Sequence, residues 1–203
     1  VPEKIEIKKD TFKKVDELAD AETIIISNTS GLSISEIASV TNRQDKVMGA
    51  HFFYPAPVMK LLELVRGLVT SDETYDVVKE FAGKIGKTTV DAPEFPGFMV
   101  NRILVPMQNE AAFMVMEGSK PEDVDNAMKL GCNHPMGPIE LTDFVGIDTM
   151  LATMTGLYNG FHDSKYRPCP LLETMVKSGM LGKKTGQGFY KYDEKGNKIG
   201  SNF

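Results

Sequence analysis

Hydrophobic residues run through this chain in two rhythms, and the change between them falls near residue 93. Over residues 3–20, Ile7, Thr11, Phe12, Val15, Leu18 and Ala19 recur at helical spacing with charges opposite, which predicts an amphipathic helix. The β-branched run Thr23–Ser27 predicts a fully buried strand of a parallel sheet, and the small polar residues that follow it, through Gly31, a strand-end loop. Ser33 and Glu36 have the spacing of a capping box that opens a short helix. Two apolar runs come next, Val47–Ala50 ending at His51, and Leu61–Val65 with Glu63 inside it. Pro55 and Pro57 lie between them, and proline fixes φ, so the segment reads as strand, rigid turn, strand. Val77, Val78, Phe81, Ala82 and Ile85 predict a helix over 72–85 that Gly86 stops, and Lys87–Asp91 predicts a further strand. Helix alternating with strand argues an α/β sheet.

After Pro93-Glu94-Phe95-Pro96-Gly97 the strand signals stop for about ninety residues. Residues 98–117 are apolar on nearly every side and contain Pro106, which predicts a kinked helix buried in its domain or in a subunit interface. Ser119, Pro121 and Glu122 read as the cap and first turn of another helix, closed by Gly131. Helices near 137–145, 148–159 and 170–179 complete an all-α domain, and the aromatic tail Phe189-Tyr190-Lys191-Tyr192 is expected to pack back on it. The division expected is therefore 1–92 and 93–203.

Composition narrows the function classes. A net charge of −5 without a long basic run argues against a nucleic-acid groove. Cys132 and Cys169 are too few for a disulfide framework and lack metal-ligand spacing with the histidines, so no metal is expected and a reducing, cytoplasmic setting is. No apolar stretch reaches membrane-spanning length. The chain opens at Val1 and runs directly into a helix, which reads as a cut inside a longer protein.

The residues that carry chemistry are few. His51 is one of three histidines, and the predicted hairpin brings it beside Glu63. An imidazole oriented by a carboxylate is a general base with its partner in place. On the local pattern alone, a satisfied strand-end histidine beside a surface glutamate is the commoner arrangement. His134, next to Pro135 and Gly137, reads as a turn or interface residue, and Met107, Met114, Met116 and Met128 as core or dimer contacts.

Several motifs together resemble the L-3-hydroxyacyl-CoA dehydrogenases: Ser27-Asn28-Thr29-Ser30, the run from His51 to Glu63, Pro96-Gly97-Phe98-Met99-Val100-Asn101-Arg102, Ala127–Gly131, His134–Pro138 and Gly182–Tyr190. The likeness spans essentially the whole chain. It implies the α/β portion of a Rossmann-type NAD-binding domain, followed by an all-α C-terminal dimerisation domain. It also implies hydride transfer between NAD or NADP and a short-chain (S)-3-hydroxyacyl-CoA such as 3-hydroxybutyryl-CoA. In that resemblance His51 and Glu63 match the catalytic pair, and Ser30 and Asn101 match substrate-binding residues. Glu3, Lys8, Ser30 and Lys184 match cofactor contacts. Two positions depart from the family: Tyr54 stands where an asparagine near the nicotinamide is usual, and Gly31 replaces a usual serine.

No G-x-G-x-x-G turn occurs in the sequence. The family's first strands are expected to precede Val1, roughly a hundred residues by the usual size of such a domain. The competing reading is a catalytically silent dimeric helical module left by truncation. Another two-domain β-hydroxyacid dehydrogenase fits less well, because those families lack the His-Phe-Phe…Pro…Pro motif.

Overall fold

A computed structural model describes residues 1–203 and divides into two compact units, Val1–Met99 and Val100–Phe203. The first runs α1 (Ile5–Leu18), β1 (Ile25–Ser27), α2 (Ile34–Ala38), β2 (Val47–Phe52), β3 (Leu61–Arg66), α3 (Asp72–Lys84) and β4 (Thr88–Ala92). The four strands form one mixed sheet in sequence order. β1 and β2 are parallel, β2 and β3 antiparallel, β3 and β4 parallel. Side chains alternate along each strand, so the sheet has a core on either face. Val47 and Val65 pack with Phe12, Ile34, Ile37 and Phe98 on one side. Met48, Ala50, Leu62 and Leu64 pack with Val78 and Ala82 of α3 on the other. Gly49 lets the sheet and α2 close up, because a Cβ there would sit 2.8 Å from Ile34 Cδ1.

Three expectations need correction here. The buried face of α1 is not the stripe through Val15 and Leu18, which are 36% and 88% exposed; it runs through Lys8, Phe12 and Asp16. Both charged residues are buried because partners elsewhere meet them. Lys8 Nζ donates to Asn28 O at 3.2 Å, and Asp16 accepts from Asn42 N (2.9 Å) and Arg43 Nε (2.6 Å). β1 is not fully buried, since it is an edge strand and Ile26 is 39% exposed. The capping box at α2 is half formed. Ser33 Oγ accepts from Glu36 N at 3.0 Å, while the Glu36 carboxylate faces Lys9 instead.

The second unit holds α4 (Val100–Met116), α5 (Pro121–Cys132), α6 (Pro138–Val145), α7 (Ile147–Phe161) and α8 (Pro170–Lys177). A short antiparallel ribbon closes it, β5 (Tyr190–Tyr192) with β6 (Lys198–Ser201), so the domain is not all-α. Proline opens α5, α6 and α8 at the first turn, where its missing N–H costs nothing. The α5 cap is Lys120 rather than Ser119. The residue that ends the helix is Asn133, in the left-handed region at φ 56°, rather than Gly131. Within its own unit α4 buries Val105, Ala111, Ala112 and Val115, and leaves Ile103, Met114 and Met116 exposed.

The aromatic tail does pack back. Phe189 and Tyr190 join Ile139, Ile147, Met150, Met154 and Leu172 in the core. Two buried carboxylates organise that junction: Asp125 accepts from Ile139 N and the Tyr190 hydroxyl, and Asp143 from Phe189 N, Tyr190 N and the Tyr192 hydroxyl. Burial pushes both carboxyls above their ordinary value against these donors, and pushes the two phenols well up. No helix is long and apolar enough to cross a membrane.

Candidate functional site

The antiparallel pairing of β2 and β3 sets His51 directly opposite Glu63. The two side chains leave the sheet on the same face and meet, Nδ1 to Oε2, at 2.6 Å. Glu63 is fully buried and His51 nearly so. Carboxylate oxygens are acceptors, so the tautomer that suits this contact has its proton on Nδ1 and Nε2 as the acceptor nitrogen. The other carboxylate oxygen, Oε1, accepts from Met99 N at 3.1 Å. Phe53 and Phe98 flank the imidazole, with ring centroids 4.6 and 5.7 Å away. The pair is thus oriented from one side and walled by aromatic rings, the arrangement of a general base and the group that orients it.

The loop after β1 lies at the same end of the sheet. Asn28 Oδ1 accepts from Phe52 N at 3.0 Å, which ties the loop to the residue after His51. Glu3 Oε1 accepts from Ser30 N at 2.7 Å and from the Thr29 hydroxyl, and its other oxygen pairs with Lys8 at 3.3 Å. The structure therefore brings Glu3, Lys8 and Ser30 together. Glu3 and Lys8 hold the loop through these bonds and the one from Lys8 to Asn28 O, and Ser30 is a half-buried member of it. Ligands in open α/β sheets bind outside the carboxyl ends of parallel strands, which is where this loop sits.

Asn101 and Lys184 belong to the second unit. Asn101 is half-buried in the first turn of α4. Lys184 pairs with Asp148 at 2.5 Å. Partial burial pushes the Asp148 carboxyl up, but the ammonium and nearby N–H groups outweigh it and hold the group below its ordinary value. His162 caps α7 in the left-handed region at φ 52°. His134 follows α5, its N–H on Met128 O. Tyr54 is 86% exposed. No group of three or more His, Cys, Asp or Glu side chains is placed to hold a metal ion.

Sequence reasoning missed Asn28, Phe53, Phe98 and the Met99 amide as parts of this site, along with Glu94, which bonds the start of α2. A signal for Glu94 existed: it is a lone carboxylate between Pro93 and Pro96, in a segment read only as a boundary.

Comparison with known proteins gives a consistent result. The sequence model for the NAD binding domain of 3-hydroxyacyl-CoA dehydrogenase matches residues 1–95, and that for the C-terminal domain matches residues 97–192. A probable 3-hydroxybutyryl-CoA dehydrogenase of Bacillus subtilis is 55% identical over 196 residues, 96% of this chain and 68% of that protein. A 3-hydroxybutyryl-CoA dehydrogenase of Clostridioides difficile is 53% identical, over 95% of this chain and 69% of that one. Among solved structures, the (S)-3-hydroxybutyryl-CoA dehydrogenase of Ralstonia eutropha superposes with a TM-score of 0.92 at 49% identity, over 96% of this chain and 69% of that one. With the two domain models matching residues 1–95 and 97–192 and relatives above half identity, this chain belongs to the 3-hydroxyacyl-CoA dehydrogenase family.

Proposed function

We propose that this protein interconverts a short-chain (S)-3-hydroxyacyl-CoA, with 3-hydroxybutyryl-CoA as the substrate to test first, and the matching 3-oxoacyl-CoA, with His51 as general base. The observation that carries this reading is the buried 2.6 Å contact between His51 Nδ1 and Glu63. It leaves Nε2 to take the proton of the 3-hydroxyl as the carbonyl forms, and to return it in the reverse direction. Glu63 holds the ring in that tautomer and offsets the positive charge that the imidazole gains. Phe53 and Phe98 keep water from the face they cover, which strengthens the electrostatic contact beneath.

NAD, when bound, supplies the hydride acceptor. The residues present suit its nicotinamide end. Asn28 and Ser30 offer neutral amide and hydroxyl groups at the carboxyl ends of two parallel strands, and Ser27 Oγ is buried there without a hydrogen-bond partner. For Asn101 and Lys184 we keep the roles that the family resemblance implies, substrate binding and cofactor binding. We also keep assembly as a homodimer through the helical unit, which light scattering tests; Ile103, Met114 and Met116 on α4 are the exposed apolar residues that support it.

The deciding experiment is His51→Ala in the enzyme. Loss of a general base lowers kcat by about 10² to 10⁴, while substrate affinity falls far less. Turnover close to that of the unsubstituted enzyme would remove His51 from the mechanism.

A further inference from the structure

Glu94 lies in the segment Pro93–Met99 that follows β4, and its carboxylate is bonded to the start of α2. Oε1 accepts from Ser33 Oγ at 2.8 Å and Ser35 N at 2.5 Å, and Oε2 accepts from Ser35 Oγ at 2.6 Å. Ser35 Oγ also accepts from Leu68 N at 2.7 Å, so the same cluster reaches the chain just beyond β3. Three residues after Glu94 the backbone enters the left-handed region twice in succession, Gly97 at φ 74° and Phe98 at φ 49°. A bulky residue in that region is a costly conformation that persists only where its surroundings hold it. The turn has two products. Phe98 is buried with its ring beside His51, and Met99 N points at Glu63 Oε1. Gly31 stands against the back of the turn, where a Cβ would lie 2.9 Å from Gly97 N.

We propose that Glu94 is a positioning residue for the His51–Glu63 pair: latched to α2, it holds the Gly97–Phe98 turn in the shape that aims the Met99 amide at Glu63 and sets Phe98 against His51. The role rests on reading His51 as the base, and it is one of action through the turn. Glu94 meets the Ser35 N–H, a first-turn donor that Ser33 leaves free, but capping alone does not account for its bonds to the Ser33 and Ser35 hydroxyls. A carboxylate suits the latch, since its two oxygens accept three donors, whereas an amide offers one oxygen and turns donors toward donors.

The test uses Glu94→Ala, Glu94→Gln and Ser35→Ala in the enzyme with saturating NAD, and it has three readouts. These are kcat and KM, hydrogen exchange at the Met99 amide, and the imidazole Nδ1–H proton resonance of His51. Glu94→Ala is expected to lower kcat by about 10- to 100-fold with little change in KM, the scale of a small misplacement of reacting groups. Met99 exchange should speed up and the His51 resonance should shift or broaden. Glu94→Gln should fall between Ala and the parent, and Ser35→Ala should move each readout the same way by less. If Glu94→Ala does not fold, the other two variants decide the matter. Folded variants whose Met99 exchange and His51 resonance match the parent would overturn the latch, whatever their kcat. A retained turnover in His51→Ala would instead overturn the base assignment, and it is read from a separate variant.

Discussion

Glu63→Gln tests the site more sharply than its deletion, because it keeps the shape and changes only donors and charge. The carboxylate is fully buried and accepts on both sides, from His51 Nδ1 through Oε2 and from Met99 N through Oε1. An amide has one oxygen. If that oxygen turns to Met99, the NH₂ faces the imidazole, Nδ1 must accept, and the proton moves to Nε2, the nitrogen that the reaction needs unprotonated. If the oxygen turns to His51, the NH₂ confronts the Met99 N–H in a buried site. An unmet buried donor costs about 1–3 kcal/mol. At about 1.4 kcal/mol per tenfold, populating the active tautomer then lowers the rate by about 5- to 160-fold. Loss of the charge that balances the imidazolium adds to this, so kcat should fall by about 10² to 10⁴ in total, near the loss for the base itself. The assay is initial-rate NADH formation from 3-hydroxybutyryl-CoA, with calorimetry alongside. Melting temperature serves as the control: in the free protein the oxygen can face Met99 N and the NH₂ the imidazole, so no donors are opposed and the loss falls on turnover rather than on stability. A Gln variant with parental kcat would refute the tautomer argument.

Two further outcomes follow from the packing. Gly31→Ser, which restores the usual family residue, drives a Cβ to 2.9 Å from Gly97 N; since the atom it meets is backbone, the turn must shift, at about 1–3 kcal/mol of stability seen in thermal unfolding, and kcat should fall through Phe98 and Met99. Asp125 and Asp143 have folded-state pKa values above the ordinary 3.8, burial being the first cause, so the stability they contribute is full below 3.8 and is lost as pH rises through the higher folded values; Asp143→Asn should flatten that part of the pH dependence in urea titrations, and an unchanged slope would show that burial does not govern this carboxyl.

What the sequence determined by itself is the helices, the four strands of the first unit and the identity of the pair. Two apolar runs joined by a proline-stiffened turn specify adjacent antiparallel strands, and strand periodicity then sends His51 and Glu63 to one face. The helix that opens at Pro121 was legible for a local reason too. The buried face of α1 was not. Lys8 and Asp16 look solvent-facing to any periodicity window, and they are buried because Asn28, Asn42 and Arg43, some twenty or more positions away, meet their charges. The tail ribbon escaped notice likewise, since Tyr190 finds Asp125 across 65 positions. Glu94 reads only as part of a boundary segment because nothing near it in the chain needs a carboxylate; its donors come from the start of α2, about sixty residues earlier. Local pattern decides which backbone forms, since helix and strand periodicity is set by neighbours in the chain. Which polar groups may be buried depends on partners that only the folded chain brings within hydrogen-bonding distance, and here that decided how the base is held.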